Sequence, residues 1–211
     1  MKWNVGNVEI FQIIELEAGK IIQSIIPDAT PENVKKMKWL IPDYADKNGI
    51  LKALIQSFLI KSQGKYILVD TCNGNDKNRP NIPEWGNLKI KFVEKLNEFG
   101  ITPLDIDCVV CTHLHFDHVG WNTILVNGKW KPTFPNAKYI FSKKEYEYWS
   151  SKPKKEMIDD LLGFEDSVHP IIEAGLSELV EEDFQFDENV GLISTPGHTP
   201  HHVSVKIQSL G

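Results

Sequence analysis

Four potential metal ligands lie within six consecutive positions of the chain: His113, His115, Asp117 and His118. Neutral imidazole and carboxylate are ligands that zinc and other borderline divalent ions take in proteins. His113 and His115 are two residues apart, so in an extended chain their side chains point the same way and can bind one ion. Asp117 and His118 follow and can face a second ion. The chain has only seven histidines, so three of them within six positions favour a metal site over an ordinary polar loop.

A second cluster reads Thr195-Pro196-Gly197-His198-Thr199. Its proline and glycine predict a tight turn, which would present His198 at the end of a strand. Because the first cluster already predicts a metal site, we expect His198 to be a further ligand. His201 and His202 stand directly before another predicted strand, where alternation directs them to opposite faces, and they are not among the predicted ligands.

Both clusters follow short apolar segments that predict buried strands, Asp107–Cys111 and Gly191–Ser194. The ligands should therefore lie at the carboxyl ends of strands. An apolar stripe predicts an amphipathic helix over Leu88–Phe99, which ends at Gly100. Ser142 and Glu145 form the pattern of a capping box at the start of a helix over Ser142–Ser150.

The remaining pattern mixes strands and helices without a repeat or a linker-like stretch, and it predicts one domain over residues 1–211. A helix is expected to start at Thr30-Pro31, and Asn127-Gly128 predicts a hairpin turn. Further strands are predicted over Val8–Ile14, Ala53–Ile60, Tyr66–Val69, Lys138–Phe141 and Val203–Ile207, and further helices over Glu156–Leu162 and Ser167–Glu173.

The motif His113-Leu114-His115-Phe116-Asp117-His118 resembles the HxHxDH signature of the metallo-β-lactamase superfamily. Val69-Asp70-Thr71 resembles the strand that precedes this motif, and Thr195–Thr199 resembles the next motif. The resemblance covers about residues 50–211. Within the superfamily, residues 112–121 and 132–139 look closest to the branch of methyl parathion hydrolase and related lactonase- and arylesterase-like hydrolases. The implied fold is α+β, a four-layer αββα sandwich.

The resemblance also implies a role for each matching residue. His113, His115 and His198 would hold one metal, and Asp117 and His118 a second, with both of these acting in catalysis. Asp70 would hydrogen-bond to the loop that carries the ligands without binding the metal itself. The expected cofactor is Zn²⁺, two per complete site, with iron or manganese as alternatives.

The superfamily adds a bridging aspartate and a last histidine after the third motif. This sequence has no aspartate after Asp187 and no histidine after His202. The resemblance therefore implies a chain truncated at its C-terminus, with the closing strands and helix missing.

The implied activity is metal-dependent hydrolysis of an ester, a lactone or a phosphotriester. The nucleophile would be a hydroxide on the metal, because a divalent ion lowers the pKa of bound water to about 7. Within the superfamily, alternatives are a glyoxalase II-like thioesterase, a class B β-lactamase and a tRNA 3′-processing nuclease. An alternative of a different class is a non-catalytic metal-binding fragment or partner-binding module.

The composition restricts the partners that can be expected. Lysine and arginine number 23 and aspartate and glutamate 29, so the net charge is −6. This charge argues against nucleic acid and anionic membranes as partners and favours a small-molecule substrate. The Lys-rich run Lys152–Lys155 is interpreted as a solvated helix start. Three cysteines, no signal-peptide pattern and no membrane-spanning stretch predict a cytoplasmic protein, and the resemblance adds a possible homodimer.

Overall fold

The computed structural model describes residues 1–151 and 157–208. The fold is α+β, as the family resemblance implies. The strands are β1 (Lys2–Val5), β2 (Val8–Glu17), β3 (Leu54–Ser62), β4 (Lys65–Val69), β5 (Cys108–Cys111), β6 (Thr123–Val126), β7 (Lys129–Pro132), β8 (Lys138–Ser142), β9 (Ser177–Val180), β10 (Val190–Ser194) and β11 (Val203–Ile207). The α-helices are α1 (Gly19–Ile25), α2 (Pro31–Lys36), α3 (Phe92–Leu96), α4 (Phe116–Val119), α5 (Lys143–Ser150), α6 (Ile158–Gly163) and α7 (His169–Glu173).

Seven strands form one mixed sheet in the order β1-β2-β3-β4-β5-β8-β9. The pairs β4–β5, β5–β8 and β8–β9 are parallel, whereas β1–β2 and β3–β4 are antiparallel hairpins. Strands β10 and β11 form a separate two-stranded sheet, and β6 and β7 form another. Because β4, β5 and β8 are parallel neighbours, the loops that follow them emerge at one edge of the sheet.

An apolar core joins one face of the large sheet to the β10–β11 hairpin. Its buried members are valine, isoleucine and leucine residues: Val8, Ile60, Ile67, Val69, Val110, Ile140, Val180, Val190, Leu192 and Val203. This packing matters for function because β10 and β11 flank the loop that carries His198.

The chain divides into two compact units, Ile14–Gln56 and the combination of Met1–Ile13 with Ser57–Gly211. In the smaller unit, α2 starts where it is predicted, with the Thr30 hydroxyl accepting from the backbone N–H of Asn33. Within this unit, the buried side-chain amide of Gln23 joins α1 to two later loops by donating to the carbonyls of Ala29 and Gly49. Two compact units can belong to one folding domain or to two. The single domain over residues 1–211 therefore stays a prediction.

The helix predicted over Leu88–Phe99 is wrong in its first part. The α-helix begins only at Phe92, and a 3₁₀ turn over Asn97–Phe99 follows it. The side chain of Asn75 accepts from the N–H of Ile90 and donates to its carbonyl. Both backbone groups of Ile90 are therefore bonded to a side chain and not to the backbone partners that they would have in a helix. Gly100 ends the segment in the left-handed conformation, as predicted.

Several local predictions are confirmed closely. The hairpin β6–β7 turns at Asn127-Gly128, and both residues have positive φ. The helical stretch after α6 continues through a π-helical turn over Phe164–Val168 into α7. Residue Glu156 of the predicted helix and the run Lys152–Lys155 lie outside the described residues. In the described part of the chain, no helix is both long and apolar enough to cross a membrane.

The capping box at α5 is correct in one half only. The Ser142 hydroxyl accepts from the N–H of Glu145, as a cap should. The Glu145 carboxylate, however, accepts hydrogen bonds from Leu114, Trp149 and Thr199. In a full capping box this carboxylate would accept from the backbone N–H of Ser142. Here it is directed to the loops that follow β5 and β10.

Candidate metal centre

His113 follows strand β5 and is almost completely buried. The Thr112 hydroxyl donates to Asp70 Oδ2 at 2.9 Å, so its oxygen accepts from His113 Nδ1, which lies 3.0 Å away. With the proton on Nδ1, the other ring nitrogen, Nε2, carries a free lone pair. Nε2 is buried and has no hydrogen-bond partner among the described residues. An orphaned buried acceptor of this kind fits a metal ligand.

Two further histidines converge on the same point. Ligand atoms of His113, His115 and His198 all lie within 4.8 Å of one another. His115 Nδ1 and His198 Nε2 are 3.0 Å apart although the residues are 83 positions apart in sequence. Burial, reinforced by neighbouring histidines, holds the pKa of His113 far below its usual range. Its imidazole is therefore neutral at physiological pH, which is the form that binds a metal.

Asp117 and His118 lie in the short helix α4, which begins directly after His115. His118 Nδ1 donates to Asp70 Oδ2 at 2.8 Å, and its Nε2 lies 3.7 Å from Asp117 Oδ2. Burial alone would lower the pKa of His118, but the carboxylates of Asp70 and Asp117 raise it to about 9. The structure thus places the predicted second pair of ligands together and beside Asp70.

Three carboxylates hold alternate backbone amides of the loop that carries the ligands. Asp70 accepts from the N–H of Thr112 at 2.7 Å, Glu145 from that of Leu114 at 3.3 Å, and Asp160 from that of Phe116 at 3.1 Å. His113 and His115 stand between these three positions, and Asp117 follows directly after the last of them. The path of the loop is therefore set by acceptors from three separate segments of the chain.

Sequence reasoning found Asp70 but missed Glu145 and Asp160. No local pattern marks Asp160, whose partner is 44 positions away. Burial and the nearby carboxylates of Asp117 and Asp159 raise the pKa of Asp160 to about 6, although the Phe116 N–H opposes this shift. Glu145 did carry a signal, but that signal predicted a helix cap.

His202 is a further residue that the sequence did not assign to the site. Its ring lies 4.9 Å from that of His113, and its Nδ1 lies 2.9 Å from the hydroxyl of Thr195. Burial lowers its pKa. His201, by contrast, is turned to Glu182, with 3.3 Å between Nδ1 and the carboxylate.

The sequence profile of the Metallo-beta-lactamase superfamily matches residues 53–211, which include every residue described in this site. The chain belongs to this superfamily. The three-histidine cluster and Asp70 lie in the segments that resemble the motifs of the superfamily. In this fold the large mixed sheet supplies the loops after β4 and β5, and the separate β10–β11 hairpin supplies the loop that carries His198.

Curated relatives within the superfamily include lactonases. The chain is 31% identical over 121 residues to an N-acyl homoserine lactonase of Bacillus sp., covering 56% of this chain and 40% of the relative. It is 32% identical over 162 residues to a probable metallo-hydrolase of Methanocaldococcus jannaschii, covering 75% and 55%. An N-acyl homoserine lactonase of Bacillus cereus is 29% identical over 174 residues, covering 76% and 61%. The chain thus spans 40% to 61% of the length of these relatives.

Solved structures show the same fold. A probable metal-dependent hydrolase from Staphylococcus aureus aligns with a TM-score of 0.71 at 19% identity, covering 99% of this chain and 71% of that chain. The dizinc quorum-quenching lactonase AidC, in complex with N-hexanoyl-L-homoserine as product, aligns with a TM-score of 0.70 at 21% identity, covering 99% and 70%.

Proposed function

We propose that this chain forms the metal-binding part of a hydrolase that cleaves lactones or related esters, with phosphotriesters as a further substrate class. The observation that carries the proposal is the cluster of His113, His115 and His198, whose ligand atoms lie within 4.8 Å of one another. The buried Nε2 of His113, which has no hydrogen-bond partner among the described residues, supports a metal there. The names of the Bacillus relatives favour a lactone over the other ester-type substrates.

In this proposal His113, His115 and His198 hold the first ion, and Asp117 and His118 hold a second. The preferred ion is Zn²⁺, with iron and manganese as alternatives. A bound divalent ion lowers the pKa of water and supplies a nucleophile near neutral pH. The carboxylate of Asp117 would orient the hydroxide, while Asp70 holds the ring of His118 by accepting from its Nδ1.

The charge balance supports a small, uncharged substrate. With a net charge of −6, the chain lacks the general attraction to phosphate backbones that a nuclease uses. A homodimer and a cytoplasmic location stay predictions.

The test combines metal content with hydrolysis. Purified protein is assayed for metal by mass spectrometry and then tested, with added Zn²⁺, on an acyl homoserine lactone, an aryl ester, a phosphotriester and a thioester. We expect bound metal and turnover of the lactone and the aryl ester. His113→Ala should lose both, because it removes a ligand nitrogen from the centre of the cluster.

The matched control is His169→Ala, which removes an exposed histidine that pairs with Glu165 away from the site. It should behave as wild type. Metal binding without turnover of any ester-type substrate would favour the non-catalytic metal-binding module instead. Absence of metal, or equal activity in His113→Ala and wild type, would contradict the proposal.

A further inference from the structure

Glu145 is a buried carboxylate that no motif assigns to the site. It lies near the start of helix α5 and is 1% exposed. Its Oε1 accepts from the N–H of Leu114 at 3.3 Å and from Trp149 Nε1 at 2.8 Å. Its Oε2 accepts from the hydroxyl of Thr199 at 2.9 Å. A buried carboxylate is costly unless its lone pairs are matched, and here both oxygens are.

Two of the three groups bound by Glu145 belong to different ligand loops. Leu114 lies between His113 and His115 in the loop after β5. Thr199 directly follows His198 in the loop between β10 and β11. The three histidines can meet at one ion only if these two loops keep a fixed relative position. Glu145 bonds to one residue of each loop through its two oxygens, so it links the two loops directly.

We propose that Glu145 is a positioning residue that couples the two metal-ligand loops, with the Thr199 hydroxyl as its contact to the second loop. The inference rests on the proposed function in that His113, His115 and His198 bind a metal. Glu145 itself contacts no reacting atom. Its effect reaches the metal through the placement of the histidines, as groups that hydrogen-bond behind ligands typically act.

The sharpest variant is Thr199→Val, which removes the hydroxyl but keeps the size and branching of the side chain. Zn²⁺ affinity is measured by competition with a chromophoric chelator. We expect a loss of about tenfold in Thr199→Val and of about a hundredfold in Glu145→Ala, the range usual for groups behind metal ligands.

Glu145→Gln separates positioning from bulk packing. The amide oxygen can still accept from Leu114 and Trp149, and its NH₂ can donate to Thr199 Oγ1, which is also an acceptor. All three contacts survive, so the affinity should stay within about threefold of wild type. A role that needs the negative charge itself would instead leave Glu145→Gln as weak as Glu145→Ala.

Thr133→Val is the matched control. Thr133 is also a buried threonine, but its hydroxyl has no partner among the described residues. This variant should bind Zn²⁺ as wild type does. Thermal unfolding of each metal-free protein shows whether a loss of affinity reflects general destabilisation, and the visible spectrum of the Co²⁺ form reports the ligand geometry directly.

A double-variant cycle completes the test. If Glu145 and Thr199 act through one bond, Glu145→Ala with Thr199→Val should bind Zn²⁺ no more weakly than Glu145→Ala alone. Fully additive losses, or equal affinities in Thr199→Val and Thr133→Val, would overturn the coupling role. So would affinity losses that merely follow a lowered stability of the metal-free proteins.

The outcomes also separate this inference from the proposed function. A wild-type protein that binds Zn²⁺ but cleaves no ester-type substrate would contradict the hydrolase and leave the coupling intact. A Thr199→Val protein with normal hydrolysis and unchanged Zn²⁺ affinity would contradict the coupling and leave the hydrolase intact. A wild-type protein that binds no metal would contradict both.

Discussion

The surroundings of His113 select the protonation state that metal binding requires. At His113, the Thr112 hydroxyl accepts from Nδ1 because its own proton is donated to Asp70. The ligand nitrogen Nε2 is thereby left unprotonated. Asp70 also accepts from His118 Nδ1, which directs the Nε2 of that ring away from Asp70. One carboxylate thus orients two rings that we propose as ligands.

Asp70→Asn is expected to lower Zn²⁺ affinity by about 10- to 100-fold. The amide that replaces Oδ2 cannot accept from the Thr112 hydroxyl or from His118 Nδ1. Both bonds must reverse, which moves the proton of His113 onto its Nε2 and leaves the Nε2 of His118 protonated. Chelator competition measures the affinity, and ¹⁵N shifts of the imidazole rings report the tautomers.

Asp105→Asn provides the control for this prediction. Like Asp70, Asp105 accepts from the backbone N–H and the hydroxyl of one threonine, Thr102, but it is exposed and outside the site. Its replacement should leave metal affinity unchanged. An equal effect of the two variants would contradict the role of Asp70.

At the scale of elements, the loop after β4 lies in close contact with the C-terminal end of α4. The N–H of Gly120 donates to the carbonyl of Cys72, and the N–H of Thr71 donates to that of His118, both at 2.7 Å. A Cβ on Gly120 would lie 1.8 Å from the carbonyl oxygen of Asn73. The φ of Gly120 is ordinary, so glycine is required here for space alone.

Gly120→Ala should therefore force the loop after β4 away from α4 and displace His118. We expect the free energy of unfolding to fall by about 1–3 kcal/mol or more, together with a loss of Zn²⁺ affinity. Urea unfolding and chelator competition measure the two effects. Gly100→Ala, where a Cβ meets nothing within 4 Å and only the positive φ opposes it, should lose stability but keep its metal affinity. Retention of affinity in Gly120→Ala would show that this contact does not position His118.

A buried charge cluster joins three further segments close to α4. Lys77 and Arg79 are both buried and share the single carboxylate of Asp166, at 3.4 Å and 2.8 Å. The ammonium of Lys77 also lies 3.5 Å from the centre of the Trp130 ring. Burial lowers the pKa of Lys77 to about 7, although the attraction of Asp166 opposes this shift.

This pKa predicts a rise in stability with pH. From pH 7 upwards the folded protein loses the proton of Lys77, whereas the unfolded chain keeps it up to about pH 10.4. The unfolded state then binds more protons, so the free energy of unfolding contributed by Lys77 increases from about pH 7 to about pH 9 and beyond. Lys77→Met should remove this increase in urea unfolding at the two pH values, and Lys89→Met, at an exposed lysine, should not. The same pH dependence in Lys77→Met and wild type would contradict the assignment.

At the scale of the whole molecule, the candidate metal site is formed by segments that are distant in sequence. His115 and His198 are 83 positions apart, and the β10–β11 hairpin that positions His198 packs on the large sheet through Val190, Leu192 and Val203. An ion bound by these histidines binds only the folded state and must stabilise it. At a hundredfold excess over Kd this amounts to about 2.7 kcal/mol.

Zn²⁺ should therefore raise the Tm by about 5–11 °C in a chain of this size, and a chelator should reverse the increase. His198→Ala should abolish the shift, because it removes the ligand from the second loop. His169→Ala again serves as the control and should keep the full increase. An equal rise in the His198→Ala protein would place the stabilising metal elsewhere.

The sequence alone determined the features whose cause is local. The spacing of His113 and His115, the turn before His198, the hairpin at Asn127-Gly128 and the cap of α5 depend on neighbouring residues, so their patterns are readable. The helix predicted from Leu88 failed because Asn75, which holds Ile90 in another conformation, is distant in sequence.

Only the tertiary structure decided how the ligands are supported. Glu145 and Asp160 reach the metal loop across 31 and 44 positions, and Arg79 reaches Asp166 across 87. No sequence periodicity encodes such contacts, because they arise when packed sheets and loops bring separate segments together. Ligand types follow from local chemistry, whereas the geometry that makes them a site follows from burial and from hydrogen bonds that close only in the folded chain.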